Sequence, residues 1–486
     1  MQDLAVSVER PEGPPGHYFE RFGVGPELLR RVLASALSRG ADECDLFFEH
    51  AVTNAVILTD NAVNRASTNI ELGMGVRARI GDQIGYAYSE DLSPEALLSA
   101  ARIAAQIAAS SPGREPLDLR AANLPGYYPI EKPWERVGME QRVPLVRAWE
   151  QAAFALDPRV TKVHASLVDS ARVILIVRPD GRLAEDYQPM TRATLQCTVE
   201  QNGERESNSY NIAARAGLEY YEDPDRVDRL VRRAVERTIF LLDAGKPPAG
   251  EMPVVLAAGA SGILLHEAIG HGMEADFNRK GISIYSGRLG KQIAPKNVTI
   301  VDDGTLDGTR GAINVDDEGN PTERTVLVQD GVLRSYLHDE ISAAHFGVRP
   351  TGSGRRQSFR HHPIPRMRAT FMEAGPDDPG DIIRSVKRGI YCTSFANGQV
   401  QIGAGDFAFY MKTGFLIEDG KLTRPIKDVN IIGNGPAALE AVEMVGNDLE
   451  LDDGGWTCGK DGQGVPVSQG QPTVKVASLV VGGVDA

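Results

Sequence analysis

The chain has 486 residues, 42% of them hydrophobic and 24% charged, with a formal net charge of −14 at pH 7. This length is enough for two or three domains, and an acidic chain without a dense basic cluster is not typical of a nucleic-acid-binding protein. No apolar run approaches the roughly 20 residues that span a membrane, and the four cysteines are far apart in sequence, unlike a disulfide framework. We therefore expect a reduced, cytoplasmic enzyme or binding protein without nucleic-acid or membrane partners.

The composition and hydrophobic pattern of the first half of the chain predict an irregular N-terminal arm followed by an α+β domain. The arm covers residues 1–20, which are rich in Pro and Gly, and the domain covers residues 21–246. Hydrophobic periodicity predicts helices at 26–38, 93–110, 139–156 and 225–244, and strands at 44–48, 55–58, 73–80, 84–88, 162–169, 172–178, 183–187 and 193–201. The order helix, strands, helix occurs twice, which indicates a possible internal duplication.

The second half, residues 251–486, predicts a β-rich domain that begins after the Pro/Gly segment 246–250. Strands are expected at 254–257, 297–301, 324–329, 331–336, 398–403, 407–410, 414–418 and 473–480, and helices at about 378–388 and 437–445. The dipeptides at 330–331 and 419–420, both Asp-Gly, are typical of hairpin turns. The predicted fold class is therefore α+β.

The segment from His266 to His271 has the residue types of a zinc hydrolase. It reads His-Glu-Ala-Ile-Gly-His and directly follows the apolar run 261–265. Imidazole nitrogens are good zinc ligands, and an adjacent carboxylate can act as a general base. The histidines are five residues apart, not four as in the usual zincin motif, so a regular helix would leave them about 140° apart around its axis. We therefore predict a distorted helix at Gly270, through a π-bulge or a break.

A catalytic zinc generally needs a third protein ligand. Cys458 is a candidate in the glycine-containing loop predicted over 453–460, where Lys460 would help to hold it as a thiolate. A lone cysteine is more often an ordinary small residue, so both interpretations stay open on these residues alone. Glu274 and Asp276 are candidates to orient the imidazoles. Further histidines expected to line the site or lie on the surface are His338, His345, His361 and His362.

An acidic stretch at 302–319 also raises the question of a metal site. Its acidic residues include Asp302, Asp303, Asp316, Asp317 and Glu318. Their spacing does not match the oxygen ligands of an EF-hand loop. We therefore predict an acidic hairpin loop that binds no metal.

Several motifs in one order resemble the TldD/PmbA (TldE) family of bacterial and archaeal metallopeptidases. The resemblance covers residues 20–485 and is densest after residue 250. Besides the histidine motif, it rests on the segments 274–277 (EADF), 316–319 (DDEG), 365–368 (PRMR), 403–407 (GAGDF), 432–436 (IGNGP), 458–466 and 470–472 (GQP). It implies a two-domain fold with zinc held by His266, His271 and Cys458, and with Glu267 as the general base.

The same resemblance implies a zinc-dependent peptidase that hydrolyses unfolded or flexible peptides. Family members that carry the His-Glu-x-x-x-His motif, as this chain does, pair with a TldE/PmbA-type subunit that lacks it. We therefore expect a heterodimer, with a homodimer as the alternative. The many short strands favour a substrate that binds as an added strand at a sheet edge. Candidates for stabilising the oxyanion are Tyr336, His338 and Arg366, and the sequence does not choose among them.

Two other functions fit the same residues. One is a non-catalytic peptide-binding subunit with a structural metal, for which a closed four-ligand site is expected. The other is a zinc amidase that acts on small molecules in a narrow pocket. Replacement of Glu267 separates the peptidase from the structural site, because a structural site needs no base.

Overall fold

The computed structural model describes residues 7–108, 113 and 115–482. Residues 1–6 of the predicted arm and residues 109–110 of the second predicted helix lie outside these ranges. The described part of the arm is irregular as far as residue 16 and then forms a short helix, in which Phe19 is fully buried. Helices and strands are both extensive, so the predicted α+β class is confirmed.

The helices of the first half lie close to their predicted positions. Helix α3 begins with a Ser93 cap, whose side chain accepts a hydrogen bond from the Ala96 N–H, and has Pro94 in its first turn. Within the ranges that the structure describes, no helix has the length and apolar character needed to cross a membrane. The helices are α1 (His17–Glu20), α2 (Pro26–Leu37), α3 (Pro94–Ala104), α4 (Met139–Leu156), α5 (Pro224–Asp243), α6 (Gly262–Leu265), α7 (Ala275–Arg279), α8 (Glu340–Phe346), α9 (Pro379–Arg384) and α10 (Gly435–Glu440).

One long, mostly antiparallel sheet organises the first half. Its strands are β1 (Glu43–Thr59), β2 (Ala62–Ile80), β3 (Gln83–Ser89), β4 (Arg120–Ala121), β5 (Val160–Val177), β6 (Arg182–Gln201) and β7 (Glu204–Ala214). The order is β3-β2-β1-β5-β6, and both β4 and β7 pair with β6. The element order α2-β1-β2-β3-α3 recurs as α4-β5-β6-β7-α5. The internal duplication and the domain boundary at 246–250 stay predictions.

The two faces of this sheet have different partners, because alternate residues of a strand point to opposite sides. Leu46 and Phe48 of β1 pack against α2 and α3, and Val56, further along the same face, packs against α4 and α5. Phe47 points to the other face, where it meets Phe359 from the second half of the chain. The sheet is therefore buried on both sides near the start of β1.

The second half contains two large sheets that enclose one core, and a two-stranded sheet of β12 and β13. The first has the order β17-β16-β15-β8-β22-β18, and the second has the order β11-β10-β9-β14-β21-β19 with β20 attached to β21. The strands are β8 (Gly250–Leu256), β9 (Ile300–Asp303), β10 (Arg324–Gln329), β11 (Val332–Leu333), β12 (Gly354–Arg355), β13 (Ile364–Pro365), β14 (Ala369–Met372), β15 (Arg388–Val400), β16 (Asp406–Glu418), β17 (Lys421–Asn434), β18 (Val442–Val445), β19 (Glu450–Leu451), β20 (Trp456–Lys460), β21 (Gln463–Gln471) and β22 (Val474–Gly482).

The Asp-Gly turns predicted at 330–331 and 419–420 are confirmed, since both residues of each pair have positive φ angles and join β10 to β11 and β16 to β17. Three other predictions need correction. Several strands are longer than predicted; β1, for example, is continuous where two short strands were expected. The helix expected at 437–445 ends at Glu440 and is followed by β18. The helix expected at about 378–388 is shorter and ends at Arg384. The acidic stretch 302–319 leads from β9 into the connection to its antiparallel neighbour β10, in agreement with the predicted hairpin loop, and its residues Asp302 and Glu318 are fully buried.

Glu318 belongs to an ion-pair network between the two halves of the chain, whereas Asp302 pairs with Arg368 within the second half. Arg77 of β2 donates to the Asp45 carboxylate at 2.5 Å and lies 2.7 Å from a carboxylate oxygen of Glu318. Arg356 donates to the other oxygen of Asp45 at 2.9 Å. Burial alone would raise the pKa of Asp45, but the two arginines outweigh it and lower that pKa. The first sheet is thus joined to the second half through charges that are paired out of water.

We expect Arg77→Met to destabilise the fold strongly. The change leaves Asp45 and Glu318 buried beside an apolar side chain, which typically costs about 3–5 kcal/mol of unfolding free energy. Urea denaturation followed by circular dichroism measures the loss. Arg232→Met is the matched control, because Arg232 makes an exposed pair with Asp228 and its loss should leave the midpoint unchanged. Equal midpoints for the two variants would contradict a structural role for the network.

Candidate metal centre

The predicted helix distortion is present at the histidine motif. A π-helical turn, His266–Gly270, follows α6 and is succeeded by a 3₁₀ turn that begins at His271. The i→i+5 geometry of a π turn brings residues five apart onto one face. The imidazole centroids of His266 and His271 are accordingly 5.2 Å apart. The distortion thus converts a spacing unsuited to an α-helix into a pair of neighbouring rings.

Three glycines on or beside this turn are in close contact with neighbouring atoms. A Cβ atom on Gly270 would lie 2.2 Å from the sulfur of Met367, and one on Gly435 would lie 2.3 Å from the Ala268 carbonyl oxygen. On the preceding helix, a Cβ on Gly262 would lie 2.7 Å from the backbone of Gly470. These distances leave no room for a side chain. The turn is therefore held by its neighbours and not by helix propensity.

Cys458 lies on strand β20, so the prediction that it lies in a loop was wrong. β20 and β21 form a hairpin, and the turn between them is Asp461-Gly462, with φ angles of 49° and 72°. This dipeptide is the same turn signal that correctly predicted two other hairpins, so the sequence did contain the information needed to place Cys458 on a strand.

The structure brings the three candidate ligands together. One ligand atom from each of His266, His271 and Cys458 lies within 4.8 Å of the others, and the Cys458 sulfur is 3.4 Å from Nε2 of His271. All three residues are at most 4% exposed. Two imidazoles and a thiol are a donor set that zinc prefers, and Nδ1 of the buried His266 has no hydrogen-bond partner among the described residues. The residues therefore fit a zinc ion.

Electrostatics around the thiol favour its deprotonated form. Burial alone would raise the pKa of Cys458, but the charges and hydrogen bonds of His266 and His271 outweigh burial and place that pKa well below its usual value. A thiolate is the form of cysteine that binds metals. The prediction that Lys460 holds the thiolate was wrong, because the Lys460 ammonium is engaged by two carboxylates, Glu274 at 3.2 Å and Asp276 at 2.7 Å.

Glu274 and Asp276 have different positions in the site. The Glu274 carboxylate lies 2.9 Å from Nδ1 of His271, so it contacts an imidazole as predicted. Burial opposes ionisation of Glu274, but Lys460 and His271 outweigh it and lower the pKa to about 2. Asp276 binds Lys460 instead of an imidazole. Arg366 lies on the same side of the site, with its Nε 3.8 Å from Glu274. No pattern in the sequence predicted that Arg366 would contact this carboxylate.

Glu267 lies at the exposed side of the site. One of its carboxylate oxygens is 3.7 Å from Nε2 of His271, and its side chain is 22% exposed, against 6% for that of His271. The carboxylate therefore faces the candidate ligands and retains access to water. This arrangement is the one that a general base for hydrolysis requires.

The remaining candidates lie outside the ligand cluster. His338 is packed against the rings of Tyr336 and Phe346, and its burial lowers its pKa to about 4. The Tyr336 hydroxyl donates to the Tyr285 carbonyl at 2.6 Å, and Arg366 donates to the Cys458 carbonyl. In the described part of the chain, the group able to hold a metal contains none of the histidines at 338, 345, 361 and 362.

Family models match nearly the whole of this fold. The PmbA/TldA metallopeptidase domain 1 matches residues 44–108, the central domain matches 132–242, and the C-terminal domain, which carries all three candidate ligands, matches 249–483. The three domains of this fold are thus those of a class of metallopeptidases. The chain belongs to the TldD/PmbA family.

Individual relatives agree with this assignment. A Haemophilus influenzae protein named "Metalloprotease TldD homolog" is 41% identical over 451 residues, which are 92% of this chain and 94% of the relative. A Saccharolobus solfataricus protein named "Zinc metalloprotease TldD homolog" is 34% identical over 54% of this chain and 59% of its own length. The crystal structure of TldE from Thermococcus kodakarensis has a TM-score of 0.71 at 20% identity, covers 94% of this chain and 99% of its own, and so shares the fold.

We expect Gly270→Ala to weaken zinc binding, because the added methyl group meets Met367 and pushes on the π turn. Overpacking of this kind typically costs about 1–3 kcal/mol, so we expect affinity to fall by about tenfold or more in a competition titration with a zinc chelator. Adding Met367→Ala creates space and should restore part of the affinity. Gly126→Ala is the control, because a Cβ there meets no atom within 4 Å. Unchanged affinity in Gly270→Ala would contradict the packing argument.

Proposed function

We propose that this protein is a zinc-dependent peptidase that hydrolyses unfolded or flexible peptides. The observation that carries the proposal is the convergence of His266, His271 and Cys458 within 4.8 Å, next to a partly exposed Glu267. Membership of a metallopeptidase family and the name of the Saccharolobus relative support it. His266, His271 and Cys458 would hold zinc, which when bound supplies a Lewis acid for the scissile carbonyl and for a water molecule.

In this proposal Glu267 moves the proton. Its carboxylate takes a proton from the attacking water and passes it to the leaving amine, as a general base and then a general acid. Glu274 is a positioning residue, because its contact with Nδ1 of His271 turns Nε2 of that ring towards Cys458. Lys460 and Arg366 keep Glu274 ionised for this purpose.

A free strand edge beside Cys458 supports binding of an extended peptide. β20 pairs with β21 alone among the described strands. Thr457 is opposite Pro466, which has no N–H, and Gly459 is opposite Gly464, whose N–H donates to the Gln357 side chain at 2.6 Å.

These two pairs are therefore the non-hydrogen-bonded pairs of the antiparallel ladder, in which the backbone groups point away from the partner strand. Thr457 and Gly459 thus present their backbone N–H and C=O groups outwards, on either side of Cys458, and both residues are exposed. A peptide that adds to this edge would pass the candidate metal ligands. Backbone pairing ignores side-chain identity but requires an extended segment, which explains a preference for unfolded substrates.

We further propose that the protein acts in the cytoplasm together with a TldE/PmbA-type subunit, with a homodimer as the alternative. The shared fold of TldE from Thermococcus kodakarensis supports pairing of two related subunits. The four cysteines are all buried, and Cys197, Cys392 and Cys458 are free thiols, as expected for a protein of a reducing compartment.

We expect Glu267→Gln to abolish peptide cleavage while zinc content stays at that of the wild type. The amide keeps the shape of the side chain but cannot accept the proton, and Glu267 is not among the metal ligands. Zinc is measured by atomic emission, and cleavage of an unstructured peptide by mass spectrometry. His271→Ala should lose both zinc and cleavage, and the exposed control Glu131→Gln should lose neither. Full activity of Glu267→Gln would refute the mechanism, and an inactive, zinc-loaded wild type would favour a structural metal.

The free edge of β20 is tested by Gly459→Pro. Proline removes the outward N–H without removing a bond to β21, so kcat/KM for peptides should fall by about 3–10-fold, the effect of one backbone hydrogen bond. Gly459→Ala is the control, because a Cβ at that position meets no atom within 4 Å. Zinc content should be unchanged in both variants. Equal cleavage of folded and unfolded forms of one protein would also contradict strand addition.

A further inference from the structure

Two arginine side chains meet the start of β20 from different parts of the chain. Arg192, on β6, packs against Gly455, where an added Cβ would lie 2.7 Å from its Cδ atom. Arg310 donates from Nε to the Trp456 carbonyl at 2.9 Å and from Nη2 to the Thr457 hydroxyl at 3.2 Å. The two guanidinium groups therefore lie beside the strand that carries Cys458.

These arginines lack counter-charges. In the ranges that the structure describes, neither Arg192 nor Arg310 forms an ion pair with a carboxylate, unlike the buried Arg77. Nε of Arg192 is buried and has no hydrogen-bond partner there. Burial, followed by the charges of Arg192 and Arg215, lowers the pKa of Arg310 to about 10. Two guanidinium groups thus lie close together without an ion-pair partner among the described residues, which is costly unless a ligand supplies the opposite charge.

Space for such a ligand is present. Arg192 lines a cavity of about 250 Å³ together with Ser394, Trp456 and Asp452, whose carboxylate accepts a hydrogen bond from the Trp456 indole N–H. Arg310 reaches this cavity through its hydrogen bond to the Trp456 carbonyl. Trp456 precedes Cys458 by two residues, which corresponds to about 7 Å along an extended strand. An anion bound between the two arginines would therefore lie one or two residues along a peptide from the candidate metal ligands.

We propose that Arg192 and Arg310 form a subsite for a carboxylate of the peptide substrate, one or two residues from the bond that is cut. The planar guanidinium fork matches a carboxylate in shape and charge. This inference rests on the proposed peptidase function and adds a specificity to it. A peptide offers a carboxylate at its C-terminus or on an Asp or Glu side chain, and both present the same chemistry to the subsite.

The test measures peptide binding by the full-length, zinc-loaded Glu267→Gln variant, so that the probe is not cut. The probes are fluorescent hexapeptides of one sequence, with a free or amidated C-terminus and with Glu or Gln at each internal position. Anisotropy gives Kd for each probe. We expect at least one carboxylate to tighten binding by about tenfold, the effect of a charge-assisted hydrogen bond. The position of that carboxylate identifies its source.

Adding Arg192→Met to this variant should remove the preference for a peptide that carries the carboxylate. Zinc content should be unaffected, because the Arg192 side chain makes no hydrogen bond to the described residues whose loss would harm the fold. Arg310→Lys, which keeps the charge but loses the fork, should reduce the preference. Arg102→Met, at an exposed position of α3, should keep it. The inference is overturned if no carboxylate improves binding, if no probe binds, or if the preference survives in Arg192→Met. If carboxylate-bearing probes bind more tightly but the wild-type protein cuts none of the probes, the carboxylate subsite is supported and the proposed peptidase function is refuted.

Discussion

The five-residue spacing of His266 and His271 is the constraint on which the site depends. An α-helix would turn the two imidazoles away from each other, so the helix must widen into a π turn at this point. A π turn is poorly favoured on its own, and the surrounding core holds it by contacts that only glycine permits, at Gly270 on the turn and at Gly435 and Gly262 beside it. Cys458 can then approach His271 from a neighbouring strand. The geometry of the candidate ligands is thus a property of the packed core.

Charge is distributed unevenly around this centre. On one side, Glu274 contacts His271 and is itself neutralised by Lys460 and Arg366. Every charge in that layer has an opposite charge within reach, so the layer can be rigid and dry. On the other side, at the start of β20, Arg192 and Arg310 are buried or half-buried without carboxylates. These two arginines lie beside the strand that carries Cys458, which is why we interpret the place as one for a carboxylate of the substrate.

Much of the fold was predictable from local patterns. Helices α2, α4 and α5 lie within one residue of their predicted ends, because amphipathic periodicity and capping residues are encoded locally. The long strands were predicted in pieces, because His50 and Asn54 look like interruptions. In the structure His50 contacts the Tyr18 hydroxyl of helix α1, and Asn54 donates to Asp169 of the neighbouring strand β5. Partners so distant in sequence leave no local pattern.

The histidine motif predicted the helix distortion, and the family resemblance added Cys458 to the two histidines, but the arginine subsite had no comparable signal. Arg192 and Arg310 are separated by more than a hundred residues, and each is unremarkable in its own segment.

They meet because the first sheet docks on the second half, where the Asn211 side chain accepts from the Gly455 N–H and the Ala213 N–H donates to the Asp453 carbonyl. This seam ends at Gly455, three residues before Cys458. The first half of the chain therefore does more than support the β-rich half. It supplies Arg192 of β6 and Asn211 of β7 to the cavity that Trp456 also lines, so that a peptide lying along β20 would contact both halves at once.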